Sequence, residues 1–129
     1  MTSLIQAKPL LDRVAIVTGG SMGIGRAAAF QLVQLGADLV LVGRNREKTE
    51  QVGRLLRLAG GAGEVAVEIA DLSLMEDIHA LAGRIARRHP VVHVLINNAG
   101  SLLKHRSTTI EGLEKTLATY LLRPVLLTA

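Results

Sequence analysis

Between Val14 and Ile96 short apolar runs alternate with longer stretches whose apolar residues return every three or four positions, a rhythm of strand and helix in turn. Val14 to Val17 is continuous enough for a strand buried on both faces. From Gly23 to Leu35 the residues Ile24, Ala27, Ala28, Leu32 and Leu35 fall at helical spacing, and Gly36 supplies the stop. The second strand is Asp38 to Val42, ending at Gly43. Asn45 then caps a helix from Arg46 to about Ala59, which the cluster Gly60-Gly61-Ala62-Gly63 breaks. Glu64 to Ala70 alternates as a third strand. Ser73 and Glu76 have the spacing of a capping box, the serine accepting from an early N–H while the glutamate reaches back, for a helix to about His89. Pro90 ends that helix, and Val91 to Ile96 is the fourth strand. A final helix is predicted to start at Thr108, with Glu111 as its capping partner, and to pass through Ile110, Leu113, Leu117 and Leu121.

Length and composition narrow this picture. The 129 residues, 49% of them hydrophobic, suit one domain (1–129) with a core on both faces of a sheet, and leave no room for a second. Met1 to Asp12 reads as a leader arm or added edge segment without an apolar h-region, and no apolar run is long enough for a membrane span. There is no cysteine, and His79, His89, His93 and His105 show no ligand spacing, so no metal site is expected; a reducing cytoplasm is compatible with this composition, and a cytoplasmic location is the expectation. His93, inside the fourth strand, reads as a packed or hydrogen-bonded residue. The formal charge of +4 would suit a polyanion, but 2% aromatic content offers almost no stacking platform, so nucleic acid is not an expected partner. Arg84, Arg87 and Arg88 share a helical face and read as solvated surface.

Chemistry enters at Thr18-Gly19-Gly20-Ser21-Met22-Gly23-Ile24-Gly25, which joins the first strand to the first helix. Glycine there lets an anion approach the backbone and permits the positive φ of a tight turn, so that N–H groups and the helix's positive end face a phosphate. Gly23-Ile24-Gly25-Arg26-Ala27-Ala28 also fits the ordinary dinucleotide fingerprint, but the strand ends near Thr18, too early for Gly23 to open the turn. The longer T-G-x-x-x-G-I-G spacing accounts for the gap. It resembles the short-chain dehydrogenase/reductase family. Asp71-Leu72 after the third strand and Asn97-Asn98-Ala99-Gly100 after the fourth extend the resemblance in the same order.

The resemblance implies a parallel α/β sheet of Rossmann type in the order 3-2-1-4, with helices on both faces. It further implies hydride transfer between a nicotinamide dinucleotide and an alcohol or carbonyl. The residues it sets around the cofactor are Thr18, Gly19, Ser21, Met22, Gly23, Ile24, Gly25, Arg44, Asn45, Asp71, Leu72, Asn98, Ala99 and Gly100, with Asp71-Leu72 beside the adenine. The cofactor follows from the end of the second strand. A carboxylate that would bond the ribose hydroxyls of NAD is replaced by Gly43, and Arg44 follows with Arg46 two further on, so a 2′-phosphate meets cations and NADP is expected in preference to NAD. Asp38 lies at the wrong end of the strand to substitute.

Glu111-Gly112-Leu113-Glu114 and the leucines after it resemble the retinol-dehydrogenase-like branch. Here the chain also departs from its relatives, with Tyr120 in place of the asparagine of the proton relay, and Arg123 and Val125 in place of a glycine and an aromatic. The sequence stops at Ala129, before the part where the family carries its catalytic serine and its Y-x-x-x-K pair. Tyr120 is followed four residues later by Pro124, so no catalytic residue is assigned. The expectation is therefore a truncated, cofactor-binding portion, inactive alone, that takes a small alcohol or carbonyl substrate only when a catalytic half is supplied. The alternative is a non-catalytic nucleotide-binding or assembly module. An open apolar fourth strand and widely spread leucines in the last helix make a homo-oligomer the expected state.

Overall fold

A computed structural model of the chain describes residues 8–100, 106–115, 118 and 123–128. Strands β1 (Val14–Thr18), β2 (Asp38–Gly43), β3 (Val65–Ile69) and β4 (Val94–Ile96) form a wholly parallel sheet in the order β3-β2-β1-β4. This is the Rossmann order that the sequence implies. Between the strands run α1 (Gly23–Gln34), α2 (Arg46–Leu58) and α3 (Met75–Arg88), and α4 (Arg123–Thr128) is the last described element.

Because side chains alternate along each strand, β1 and β2 feed two cores. Ala15, Val17, Leu39 and Leu41 pack with Ala29 and Val33 of α1 and Val52 and Leu56 of α2. Ile16, Val40 and Val42 pack with Ile78, Leu81 and Ile85 of α3, where Leu127 of α4 joins them. Burial on both faces is what the unbroken apolar run at β1 requires, and every residue of that strand is buried. The loops that lead into the helices leave the carboxyl ends of the strands, while Asp38, accepting from the Glu64 N–H at 2.8 Å, sits at the opposite end. Residues 8–12 form a turn packed on the end of α1, with the Leu10 N–H donating to the Leu35 carbonyl at 3.0 Å.

Several local expectations are corrected. β4 is shorter than the apolar run, because His93 uses its side chain as well as its backbone to hold β1. Its Nδ1 accepts from the Val14 N–H at 2.9 Å while its own N–H donates to the Val14 carbonyl. The capping box of α3 does not form. The Ser73 hydroxyl donates to Asp71 Oδ1 at 2.6 Å, and the helix starts at Met75 instead. Nor does a helix start at Thr108. Thr108 bridges Glu114 antiparallel, and Gly112, at φ 80°, turns the chain back with its N–H donating to the Thr109 carbonyl. The Thr109 hydroxyl accepts from the N–H groups of Glu111 and Leu113, which leaves the Glu111 carboxylate free for another helix. Arg84 is not simply solvated, since it pairs with Glu68 of β3 at 2.7 Å. Leu117, Tyr120, Leu121 and Leu122, and with them the departure at the proton-relay position, lie outside the described residues.

Candidate dinucleotide site

The site begins at Thr18, fully buried where β1 ends. Its hydroxyl donates to the Ile96 carbonyl at 3.3 Å and accepts the N–H groups of Asn98 at 3.0 Å and Ala99 at 3.1 Å. The Asn98 amide in turn donates to the Gly19 carbonyl at 3.2 Å. The ends of β1 and β4 are thereby tied together. Gly19 has φ 67°, and a β-carbon there would stand 2.6 Å from the Ala99 Cα, so both conformation and space demand glycine.

The first two N–H groups of this turn are not aimed at a ligand. Those of Gly19 and Gly20 donate to the Val42 carbonyl at 2.9 and 3.4 Å, because the end of β2 lies within their reach. What the turn offers an anion is the start of α1. Met22 precedes it in extended conformation with no side-chain cap, and the first turn holds no acid. The other two long helices differ. Asn45 Oδ1 accepts from the Lys48 N–H at 2.9 Å to cap α2, and the Glu111 carboxylate accepts from the Met75 and Glu76 N–H groups at 2.6 and 2.9 Å to cap α3. An uncapped N-terminus carries roughly half a positive charge.

In front of it lies a cavity of about 380 Å³ across the carboxyl edge of the sheet. Gly19, Ser21 and Met22 line it beyond β1, Gly43, Arg44, Asn45 and Lys48 beyond β2, Asp71, Leu72 and Ser73 beyond β3, and Asn98, Ala99 and Gly100 beyond β4, with Lys115 from the turn that follows. Asp71 is held by its own loop, its Oδ1 accepting from the Ser73 N–H as well as the hydroxyl, while its N–H donates to Asp77. Arg44, Lys48 and Lys115 form no ion pair with a described residue. Arg46 does not line the cavity and instead pairs with Glu50 at 3.2 Å, one turn along α2. Gly43 is enforced by packing. A β-carbon there would run into Thr49, which is fully buried and donates its hydroxyl to the Asn45 carbonyl at 2.6 Å.

The family model for short chain dehydrogenases matches residues 13–128. The chain belongs to the short-chain dehydrogenase family. It is 38% identical to human retinol dehydrogenase 11 over 113 residues, covering 88% of this chain and 35% of that one. It is 34% identical to mouse polyprenol dehydrogenase over 120 residues, covering 93% and 36%. A metagenomic short-chain oxidoreductase crystallised with NADP superimposes with a TM-score of 0.79 at 36% identity, over 92% of this chain and 54% of that one. The chain thus spans about a third of the length of the curated relatives it matches.

For a short-chain dehydrogenase the cavity gathers most of the residues that the sequence points to, but not all. Thr18 stands behind it as a staple, Gly25 is buried against Asn98 and Gly19, Gly23 is left-handed at φ 60°, and Ile24 is 82% exposed. Sequence reasoning missed Lys48, Ser73 and Lys115. The signal for Lys48 was present, because a helix capped by Asn45 sets its third residue back beside the cap. Lys115 carried none, since Thr108 to Glu114 reads as helix.

Proposed function

We propose that this chain is the NADP(H)-binding portion of a short-chain oxidoreductase that transfers hydride between NADP(H) and an alcohol or carbonyl. When bound, the nicotinamide supplies or accepts the hydride. The chain's own residues bind and orient. The uncapped start of α1 faces the diphosphate, and Gly19 lets the turn that leads into it pack against Ala99. Asp71 keeps Oδ2 as an acceptor toward the adenine, and Asn98 and Gly100 floor the trough. Ser21, Met22, Gly23 and Ile24 belong to the same proposal as the turn around the phosphates. None of the described residues is assigned a proton-transfer role.

The observation that carries the choice of NADP is the pairing of Gly43 with Arg44. Thr49 fills the space in which a carboxylate at residue 43 would start, and the guanidinium of Arg44, with Lys48 beside it, lines the same cavity without an ion pair among the described residues. The NADP bound in the metagenomic relative supports the same cofactor. A homo-oligomer and a cytoplasmic location are part of the reading; among the described residues no helix is long and apolar enough to cross a membrane.

Titrating NADPH and NADH into the chain tests this. A charge-assisted contact is worth about 1.5 to 3 kcal/mol, so NADPH should bind roughly tenfold to a hundredfold more tightly, and Arg44→Asp should erase the difference. Equal affinities in the unaltered chain would refute the NADP assignment.

A further inference from the structure

Glu111 and Lys115 lie four residues apart in the segment that follows the fourth strand, and each reaches something the sequence gives no reason to expect. The segment folds back on itself. Thr108 bridges Glu114, the Thr109 N–H donates to the Leu113 carbonyl at 2.7 Å, and the Lys115 N–H donates to the Ser107 carbonyl at 2.8 Å. At its tip the two carboxylate oxygens of Glu111 each accept one of the first N–H groups of α3, that of Met75 at 2.6 Å and that of Glu76 at 2.9 Å. A carboxylate at a helix N-terminus is held by both the hydrogen bonds and the helix dipole. The fold-back is therefore pinned to the start of α3, directly after Asp71, Leu72 and Ser73. Its closing residue, Lys115, lines the cavity that those residues share with Arg44 and Lys48, and its ammonium has no carboxylate partner among the described residues.

We infer that Lys115 is a further cation for the adenosine half of the bound dinucleotide, sharing the cavity with Arg44 and Lys48, and that Glu111 is the positioning residue that holds it there by capping α3. This rests on the dinucleotide reading above and adds to it a clamp between two loops far apart in sequence. Arg44 and Lys48 come from the strand-to-helix turn after β2, whereas Lys115 comes from the fold-back that follows β4. An anionic adenosine moiety between them closes a charged bridge. Lysine suits this role, as a flexible point charge that reaches a phosphate without needing a fixed planar geometry.

The test is a double-mutant cycle on the full chain, read as the affinity for NADPH and for adenosine 2′,5′-bisphosphate. Lys115→Met should weaken both ligands about tenfold, the loss of one charge-assisted contact, and the effect should shrink at high salt. Glu111→Ala should weaken both to a similar degree and accelerate amide exchange at Met75 and Glu76. The double variant should bind no worse than the weaker single one, since residues acting as a unit are not additive. Because Glu111 is exposed, its removal leaves the core intact, and unchanged helical content by circular dichroism serves as the control. Unchanged affinity in Lys115→Met, with the unaltered chain binding NADPH normally, would overturn the clamp and leave the dinucleotide reading standing. Additive losses would overturn the positioning role of Glu111. Failure of the unaltered chain to bind either ligand would overturn both readings together.

Discussion

One hydroxyl joins the ends of β1 and β4 behind the cavity. Thr18 Oγ1 donates once and accepts twice, the full capacity of the group, and all three partners come from the segment 96–99 at the end of β4. Thr18→Val keeps the shape and leaves two backbone N–H groups without their acceptor. It should cost about 1 to 3 kcal/mol, seen as a lower urea midpoint at unchanged slope. An unchanged midpoint would show that water replaces the hydroxyl there. The role of Thr18 was legible only in part. Its place in the motif marked it as a site residue, but the motif does not say that it stands behind the cavity rather than in it. That Arg44 borders the cavity was legible because it directly follows the carboxyl end of β2. Arg46 misled for the complementary reason: charge in a sequence carries no direction, and Glu50 one helical turn away captures it.

At the scale of elements, periodicity placed the strands and the first three helices to within a few residues. The reason is that both faces of the central strands are covered, so β1 and β2 read as short apolar runs and the helices over them show an apolar stripe. The helix ends were less legible. The Asn45 cap of α2 is local and was found. The cap of α3 comes from Glu111, 36 positions from Met75, and the local candidate Ser73 is claimed by Asp71. Sequence spacing detects caps within one turn and is blind to those that arrive through tertiary contact. The same blindness explains Thr108 and Glu111, whose capping-box spacing is real but yields to a fold-back turned at Gly112. Among the described residues, α1 alone of the three long helices has no side-chain cap, which is why the proposal puts a ligand's negative charge at its start.

For the molecule as a whole, β4 pairs with β1 and, among the described residues, with no other strand, and all three of its residues are only half-buried. Val125 on α4 is 58% exposed and Val91 beside β4 is 61% exposed. Burying such side chains is worth roughly 1.5 to 3 kcal/mol each, enough to offset ordering costs of several kcal/mol on association. The chain should therefore sediment as a dimer at micromolar concentration, dissociating on dilution or on combining Val91→Lys with Val125→Lys. A monomer at every concentration would exclude this surface. Val94→Lys would be the wrong probe, since Val94 packs into the core beneath α1 and α2. Strand order was readable through the family resemblance carried by motifs at three strand ends; the fourth strand was expected to be an open apolar edge, and packing leaves Val91 outside but takes Val94 into the core. The claim on which the rest depends is that a dinucleotide phosphate sits at the bare start of α1. Titration of NADP+ into isotope-labelled chain, followed amide by amide in NMR spectra, tests it most directly. The largest shifts should fall at Ser21 to Ile24 and at Asn98 to Gly100, with Arg44 and Lys48 next. Saturation with those amides unmoved, or shifts confined to the opposite end of the sheet near Asp38 and Glu64, would contradict it.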